Sequence, residues 1–582
     1  MPDYLLASPD GIAWLTLLLF SPLVGAAIVV VAMLTHQSDQ LVKRGVVAWM
    51  FVPLGIALYI WAGYDPTLVR DGQGVIQFVE RVPWIRTIQV DYFLGIDGLS
   101  LPMVLLTVVM APIAALSGFS LTKRVKEHFA VLLLLEWALL GYFLALDFFF
   151  FFIFWEFSLV PAFFLILMWG RSNLESKRAN GESTREASSD DDPFSRRRHA
   201  AVIFFIYTMA GSLGLLLLFQ FIYLATKAGG FPTFDLIALG RLGSGLPVAG
   251  ADLTLSEMFS AYAAQLGITA MLGTDPLIYT GIAFWAIFIA FAIKLGVWPL
   301  HIWLPAAYSE APTAASILLA AVMSKMGAYG MLRLLLPMVP DAAQYFAPVM
   351  AALALIGIVA GAGGALAQAG GDIKRLIGYT SINHMGYVML AIAAAAASGA
   401  GTQLSEAALQ TSRTIALNGA VMQMVAHGLS TGALFLLAAW LMQRGGSYRL
   451  GDYGGLRTAA PVFAGVFGAT MFANLGLPGL AGFVGEFFIF RGAWATLPLF
   501  TLCATIGLVV TALGLLLMQQ QIFFGELNPN LRNTSDLTPG ELGIIAPLLA
   551  LLLLLGIYPA PLLSLSNTVA TQVVQIFDRL LA

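Results

Sequence analysis

The stretch FWAIFIAFAIKLGVWPLHIWLPAAYSEAP, residues 284–312, decides how this chain folds. It begins as an apolar run, places Lys294 near the end of that run, and continues through Gly296 and Pro299. A proline removes a backbone hydrogen bond and clashes with the preceding turn, so the helix is expected to break there. Broken helices at membrane depth usually line cavities in which freed backbone groups meet water or ions. The stretch therefore predicts a broken membrane helix that carries a buried cation.

The composition is that of a protein whose solvent is lipid. Of the 582 residues, 59% are hydrophobic and only 10% are charged, whereas soluble domains carry about 25% charged residues. Lys and Arg (29) nearly balance Asp and Glu (32), so no strong field favours nucleic acid as a partner. A single cysteine, Cys503, excludes an internal disulfide and an iron–sulfur cluster held by cysteines of this chain.

Fourteen segments are apolar over about the 20 residues that a helix needs to cross a bilayer. They are residues 12–34, 45–63, 97–119, 127–146, 148–169, 200–226, 276–298, 311–337, 347–369, 375–398, 415–442, 460–490, 498–522 and 540–560. The fourth and fifth nearly touch at Asp147, which predicts a tight hairpin. Because no Lys or Arg precedes the first run, we expect a retained helix rather than a cleaved signal peptide. The sequence thus predicts an all-α polytopic membrane protein.

Lys and Arg residues in the loops predict the orientation of the chain. Loops from odd to even spans hold 18 of them, and the opposite side holds 8. Since cytoplasmic loops are enriched in these residues, both termini are expected on the non-cytoplasmic side. A polar insertion at 171–199 carries 13 charges in 29 residues and is expected to be solvated. It serves either as a plain connector or as a docking element for a partner.

Ionisable residues inside the predicted spans are the strongest functional signal. Each costs a few kcal/mol at mid-membrane, so such groups usually face a protein interior or a path for water. The residues are Glu136, Glu156, Lys294, Lys325, Arg333, His384, His427 and Glu486. Arg333 lies near the end of its span, where a long side chain can reach the interface, and we expect it to do so.

Glu156 and Lys294 are the first two candidates. Glu156 stands among aromatic and aliphatic residues in 148–170, and nothing nearby in the sequence neutralises it. A carboxylate there must be protonated or paired with a cation from another helix, because an isolated ion in hydrocarbon is untenable. A static ion pair is one interpretation. The functional alternative is a carboxylate that moves towards or away from Lys294 and so switches the lysine between holding and releasing a proton.

Lys325 and two histidines predict a relay beyond that pair. Lys325 lies in the span after Lys294, and two lysines on consecutive spans are anomalous as mere packing. His384 stands in a polar strip within RLIGYTSINHMGYVML, and His427 stands in MVAHGLSTG. A satisfied core histidine is the alternative for each of them. A haem bound by both has weak support, since each helix supplies only one histidine.

Glu486 closes the series behind a second break. The residues ANLGLPGLAGFVG precede it, and their glycines and proline predict another interrupted helix. Lys294-Leu-Gly-Val-Trp-Pro-Leu matches Asn474-Leu-Gly-Leu-Pro-Gly-Leu locally. Interrupted spans at corresponding positions indicate duplicated transporter halves, here spans 4–8 and 9–13. The predicted units are residues 1–126 (helices 1–3), 127–337 (first repeat, with the insertion), 338–522 (second repeat) and 523–582 (last span and tail).

Five stretches carry a resemblance to a known family. They are FWEFSLVP around Glu156, KLGVWPLHIWLPAAYSEAPTAASILLAAVMSKMGAYG (294–330), DIKRLIGYTSINHMGYV (372–388), MVAHGLS (424–430) and LPGLAGFVGEF (477–487). With them the chain resembles the antiporter-like subunits of respiratory complex I, a family shared with Mrp-type sodium/proton antiporters. A glutamate at position 486 is typical of the M-type member, also called subunit 4, whereas the L-type, N-type and Mrp D-type chains usually have a lysine.

The resemblance implies a fold of fourteen helices with two inverted five-helix repeats, whose broken helices are spans 7 and 12. It also implies a role for each candidate. Glu156 and Lys294 would be the modulating pair, Lys325 the intermediate carrier, His384 an extension of the path, and Glu486 the terminal site. His427 is a lesser candidate for the same extension. Lys374, in the family's DIK motif, and Glu136 are lesser candidates.

The function implied is that of a proton-translocating subunit of an NADH:quinone or ferredoxin:quinone oxidoreductase. Flavin, iron–sulfur clusters and quinone are then expected in partner subunits, and this chain is expected to hold no cofactor or metal. The expected partners are L-type and N-type chains, a small K-type subunit and the lipid of a bacterial plasma membrane. Two alternatives remain: an Mrp-type sodium/proton antiporter subunit, and the membrane subunit of a hydrogenase-linked complex.

Overall fold

The N-terminal part of the chain combines long helices with two short strand pairs. A computed structural model of the protein describes residues 4–70, 73–171, 195–399 and 402–581. The first elements are α1 (Trp14–Leu34), α2 (Asp39–Gly63), β1 (Val69–Arg70), β2 (Gln73–Gly74), β3 (Gln77–Ile85), β4 (Val90–Ile96), α3 (Ser100–Ser117) and α4 (Val125–Leu144). Strands β1 and β2 pair antiparallel, as do β3 and β4. The sequence analysis does not predict these strands.

A tight turn at Asp147 leads from α4 into the next span, as predicted. The Asp147 carboxylate accepts hydrogen bonds from the backbone of Phe149 and Phe150 at 2.9 and 3.1 Å. It therefore caps a helix start whose first amides would otherwise lack partners. The span consists of α5 (Phe148–Phe157) and α6 (Leu159–Trp169). The predicted insertion at 171–199 lies outside the described residues except at its two ends.

The first broken helix lies where the sequence predicts it. The next elements are α7 (Ser195–Ala228), the short helices α8 (Leu236–Gly243), α9 (Leu255–Gln265) and α10 (Thr269–Leu272), α11 (Pro276–Leu295) and α12 (Trp303–Glu310). Helix α11 ends at Gly296, whose φ of +84° is a left-handed conformation that glycine adopts without a steric penalty. The chain then runs through an irregular segment before α12 begins.

Helix α13 (Thr313–Met338) is continuous but irregular. Residues Leu319–Met323 and Met331–Leu335 form π-helical turns within it. Such turns are rare and occur frequently at functional sites. Lys325 lies just after the first of them.

The second half of the chain repeats the pattern of long helices with one break. Its elements are α14 (Pro340–Tyr345), α15 (Ala347–Ala367), α16 (Ile373–Ala396), α17 (Glu406–Gly445), α18 (Pro461–Asn474), α19 (Ala481–Trp494), α20 (Pro498–Phe523), α21 (Pro539–Ile557) and α22 (Ala560–Leu581). The break between α18 and α19 contains Gly476 and Gly479, with φ of +79° and +92°. Both predicted breaks are therefore confirmed.

The interior of the bundle is formed by α13, α16 and α17. The most apolar windows of α13 and α17 are completely buried, and nearly every residue of α16 is buried as well. Helix α17 packs against α16 on one side and α19 on another. The candidate residues of the second half therefore lie on helices that meet away from lipid.

Twelve helices within the described ranges are long and apolar enough to cross a membrane. Two of the fourteen predicted spans are not among them. One is α16, whose polar strip lowers its hydropathy, and the other is divided into α18 and α19. The all-α membrane class is confirmed, whereas the count of fourteen and the inverted repeats stay predictions.

Candidate functional site

Lys325 occupies the centre of the site. Its side chain is fully buried, and Nζ lies 2.6 Å from Nδ1 of His427. The amine also donates to the Ala320 carbonyl at 2.5 Å and lies 3.2 Å from the Ser324 hydroxyl. Ala320 belongs to the first π-helical turn. Backbone hydrogen bonds in such a turn span five residues instead of four, and this changes which carbonyls can accept a bond from the amine. Two neutral acceptors and an imidazole thus hold this amine, and no carboxylate of the described residues forms an ion pair with it.

His384 and Glu486 form the next contact along the site. Nδ1 of His384 lies 3.2 Å from Oε1 of Glu486, and both side chains are buried. The rings of His384 and His427 stand with their centroids 5.3 Å apart. The structure therefore brings Lys325, His427, His384 and Glu486 together in one line, as the sequence analysis expected for three of them and rated lower for His427.

Two amide side chains that the sequence analysis did not select complete this line. Nε2 of Gln423 lies 3.2 Å from Nδ1 of His384 and donates to Oε1 of Glu486 at 3.4 Å. Oδ1 of Asn474 lies 3.2 Å from the other ring nitrogen of His384. A signal existed for Gln423, which precedes His427 by four residues and so shares its helix face.

Lys294 sits in a cage of its own at the first break. Its side chain is 1% exposed. Nζ donates to the Ser158 hydroxyl at 2.9 Å and to the Trp155 carbonyl at 3.3 Å, and it stands 4.2 Å from the centre of the Trp155 ring. The electron-rich face of the indole attracts the cation. The amine is thus held by neutral groups of α5 and of the residue that joins α5 to α6.

Glu156 does not contact Lys294 directly. Among the described residues, no ion pair within 4.0 Å joins these two side chains. The Glu156 carboxylate lies on an apolar groove of about 430 Å³ between the α5–α6 span and α7, lined by Phe152 and Phe205 among others. Its Oε1 has no hydrogen-bond partner within the described part of the chain. The two side chains therefore stand apart, an open arrangement in which the amine is turned towards Ser158, and their pairing stays a prediction.

The lesser candidates Lys374 and Glu136 lie outside the line. Lys374 donates to the Ala311 carbonyl at 2.6 Å near the start of α16. It lies close to the buried ion pair between Arg171 and Asp372. Glu136 is fully buried on α4, and neither of its carboxylate oxygens has a hydrogen-bond partner among the residues described above. A role for either residue stays a prediction.

Arg333 is paired inside the protein. Its side chain is only 9% exposed, and its guanidinium forms an ion pair with Asp97 at 2.7 Å. It also donates to the Tyr329 hydroxyl at 3.2 Å. That Arg333 reaches the membrane interface stays a prediction. Asp97 lies 236 positions away in the sequence, just before α3, so no local pattern revealed this counter-charge.

Comparison with known proteins adds to this geometry. A family described as NADH:quinone oxidoreductase/Mrp antiporter, transmembrane, matches residues 193–513. Subunit M of the NADH-quinone oxidoreductase of Rhodobacter capsulatus is 34% identical over 564 residues, which cover 96% of each chain. The chain belongs to this family. Members of the antiporter family are transmembrane proteins, in agreement with the apolar helices described above.

Two solved structures share the fold. A chain of respiratory complex I from Thermus thermophilus with bound NADH superposes with a TM-score of 0.74 at 24% identity, covering 98% of this chain and 100% of that one. A chain of the Mrp complex from Dietzia sp. DQ12-45-1b gives a TM-score of 0.70 at 19% identity, covering 97% and 99%. The antiporter-family fold therefore extends over nearly the whole chain.

Proposed function

We propose that the chain is a proton-translocating membrane-arm subunit of an NADH:quinone-type oxidoreductase, of the M type. The observation that carries the proposal is the buried line from Lys325 through His427 and His384 to Glu486. At one end, the Lys325 amine lies 2.6 Å from the His427 ring, and at the other end the His384 ring lies 3.2 Å from the Glu486 carboxylate. The centroids of the two imidazole rings stand 5.3 Å apart. Ionisable groups buried in a membrane protein mark proton or ion paths. The subunit M relative from Rhodobacter capsulatus supports the choice of the redox-driven complex.

Each candidate then has a role in the path. Glu156 and Lys294 are the modulating pair, and their open arrangement represents one state of a switch. When the carboxylate approaches, it stabilises the charged amine, and when it withdraws, burial favours release of the proton. Lys325 receives that proton, and the two histidines carry it towards Glu486. Moving one charge against about 100 mV requires roughly 2.3 kcal/mol, which the redox reaction of other subunits supplies.

The surroundings of the chain follow from the same proposal. Flavin, iron–sulfur clusters and quinone belong to partner subunits, and this chain carries no redox centre. Its partners are the L-type and N-type antiporter-like chains and a small K-type subunit. It lies in a bacterial plasma membrane, and the distribution of Lys and Arg places both termini on the non-cytoplasmic side.

The division of the chain into functional units is part of the proposal. The first repeat comprises 127–337 and the second 338–522, with helices 1–3 before them and the last span and tail after them. The two breaks, at Gly296 and Gly476, support this division because each follows a helix at the corresponding point of its unit. Each half then contributes one interrupted helix to the path.

Purification of the complex tests the function. The chain is tagged, its complex is isolated, and NADH, ferredoxin and hydrogen are offered in turn as electron donors to quinone. We expect co-purification of redox subunits and proton translocation driven by NADH or ferredoxin. Hydrogen oxidation would support the hydrogenase-linked alternative, and sodium/proton exchange by a complex without redox subunits would support the Mrp alternative.

Two substitutions test the modulating pair within that complex. We expect Glu156→Ala and Lys294→Ala to lower proton translocation sharply while the complex still assembles. A matched control is Lys43→Ala, since Lys43 is also buried and its amine donates to the carbonyls of Phe119 and Leu121 at 2.7 and 2.6 Å, far from the line. A normal proton yield per electron in either pair variant would refute the roles of Glu156 and Lys294.

A further inference from the structure

Asn474 is the last residue of α18, immediately before the second break, and its side chain is 2% exposed. Its Nδ2 donates to the hydroxyls of Ser430 and Thr431 at 3.1 and 3.2 Å. The Ser430 hydroxyl in turn donates to the His427 carbonyl, so its oxygen is free to accept. The amide is therefore anchored to α17 by its nitrogen end.

This anchoring decides which end of the amide meets His384. The nitrogen of a primary amide only donates hydrogen bonds and its oxygen only accepts them. With Nδ2 engaged by two hydroxyls, Oδ1 faces Nε2 of His384 at 3.2 Å. An atom that only accepts requires a hydrogen on the facing ring nitrogen, and the partner of one ring nitrogen sets the state of the other. Nε2 of His384 therefore keeps its hydrogen in both the neutral and the charged ring.

The other ring nitrogen is left for proton exchange. Nδ1 of His384 faces Oε1 of Glu486 at 3.2 Å. The Gln423 amide lies within reach of both atoms, so it can donate to the carboxylate while the ring is charged and to Nδ1 while the ring is neutral. Gly485 permits this approach, since a Cβ there would lie 2.4 Å from the Gln423 side-chain oxygen.

We propose that Asn474 is a positioning residue that fixes the tautomer of His384, so that this histidine exchanges protons with Glu486 through Nδ1 alone. In the transfer step, the N–H bond at Nδ1 of the imidazolium breaks and an O–H bond forms at Oε1 of the carboxylate. The products are a neutral ring that carries its hydrogen on Nε2 and a neutral carboxylic acid. The inference rests on the proposed proton path and adds to it a residue that itself carries no proton.

Substitution of Asn474 in the intact complex tests the inference, with the rate of proton extrusion by inverted vesicles as the readout. Asn474→Leu removes the acceptor that faces Nε2, and the ring can then bind Glu486 in either tautomer. We expect about a tenfold lower rate, the effect of losing a buried hydrogen bond. Asn474→Asp keeps an acceptor facing Nε2, and its second oxygen stays anchored because the Ser430 and Thr431 hydroxyls can turn to donate to it. We therefore expect its rate to stay within about threefold of the wild-type rate.

The control is Asn418→Leu. Asn418 is also a buried amide, but it bonds to Asn567 and Ser566 on α22 instead of the line. We expect the Asn418 variant to extrude protons near the wild-type rate once assembly is normalised. The double variant Ser430→Ala/Thr431→Val removes both hydroxyls that accept from the Asn474 amide. We expect its rate of proton extrusion to lie between those of Asn474→Asp and Asn474→Leu.

Two outcomes would overturn the inference. If Asn474→Asp is as impaired as Asn474→Leu, the amide acts as a donor and the tautomer assignment fails. If Asn474→Leu extrudes protons at the same rate as Asn418→Leu, the Asn474 amide has no role in proton transfer. Glu486→Gln is measured in parallel to distinguish failure of this inference from failure of the proposed function. If the Glu486 variant extrudes protons at the full rate, the proton path itself is refuted.

Discussion

The two broken helices share an interruption at a glycine with positive φ, but their ionisable residues lie at different positions relative to the break. In the first, Lys294 stands before the break, and hydroxyl, carbonyl and indole groups hold it away from Glu156. In the second, the matching position is Asn474, a neutral amide, and the ionisable group Glu486 stands after the break, against His384. The first half thus holds its acid and base apart, whereas the second half holds them in contact.

On the proposed path, we infer from this difference that the two halves have different tasks. An acid and a base that are separated can be brought together by a signal, so the first half is suited to switching. An acid and a base in hydrogen-bond contact can exchange a proton without moving their helices, so the second half is suited to transfer. Lys325 and His427 join the two, because Lys325 lies on α13 of the first half, His427 lies on α17 of the second half, and the two side chains are 2.6 Å apart.

Neutralising the acid of the second half should have the largest effect. Glu486→Gln keeps the shape of the side chain but cannot bind and release a proton, so we expect proton extrusion to fall more than tenfold in inverted vesicles. Glu257→Gln, which changes a glutamate on the surface helix α9, should extrude near the wild-type rate. Full extrusion by the Glu486 variant would remove the second half from the path.

Adding a methyl group at each break compares the two directly. Gly296 and Gly476 both have positive φ, so an alanine costs about 1–2 kcal/mol of stability at either position. A Cβ at Gly476 would lie 2.3 Å from Oε2 of Glu486, whereas a Cβ at Gly296 would meet Leu304. We therefore expect similar losses of thermal stability but a several-fold lower extrusion rate only for Gly476→Ala. Equal rates in the two variants would contradict the close contact of Glu486 with its break.

Releasing Lys294 from its cage should have the smallest effect. Ser158→Ala removes one of the acceptors that hold the amine away from Glu156, and a net hydrogen bond is worth about 1 kcal/mol. We expect roughly a fivefold slower proton extrusion, because the open state of the switch is less populated. Ser21→Ala is the matched control, since the Ser21 hydroxyl is buried but donates to the Leu18 carbonyl of its own helix. An unchanged rate for Ser158→Ala would show that the cage does not govern the switch.

The sequence predicts the long helices and both breaks well, because apolar length and the glycine and proline positions are local properties. It also selects Lys325, His384 and Glu486 as candidates, since an ionisable residue in an apolar span is conspicuous, and the structure places them in one buried cluster with His427. The bond between Lys325 and His427, in contrast, joins residues 102 positions apart. No hydrophobic periodicity or sequence motif predicts that these two side chains come into contact.

Polar residues without charge were the ones that sequence reasoning missed. In the sequence, Asn474 is noticeable only as the match to Lys294 in the repeat, and Gln423 stands in no conspicuous pattern. Amides are common in helices and cost less to bury than ions, so their presence in a span is weak evidence. Only the three-dimensional structure shows that both amides lie within hydrogen-bond distance of His384. Strands β1 and β2 were missed because each has only two residues. The β3–β4 pair was missed although its strands have nine and seven residues, because its register shifts twice and no regular alternation marks it in the sequence.

The central claim is that one buried proton path joins the two halves at Lys325. The most direct test is the number of protons translocated per electron by the purified complex in vesicles, compared between wild type and Lys325→Met. The substitution keeps an unbranched side chain of similar length but removes the amine that bonds to His427. We predict that proton translocation through this subunit is lost while the complex remains assembled. A wild-type proton yield per electron in Lys325→Met would contradict the account.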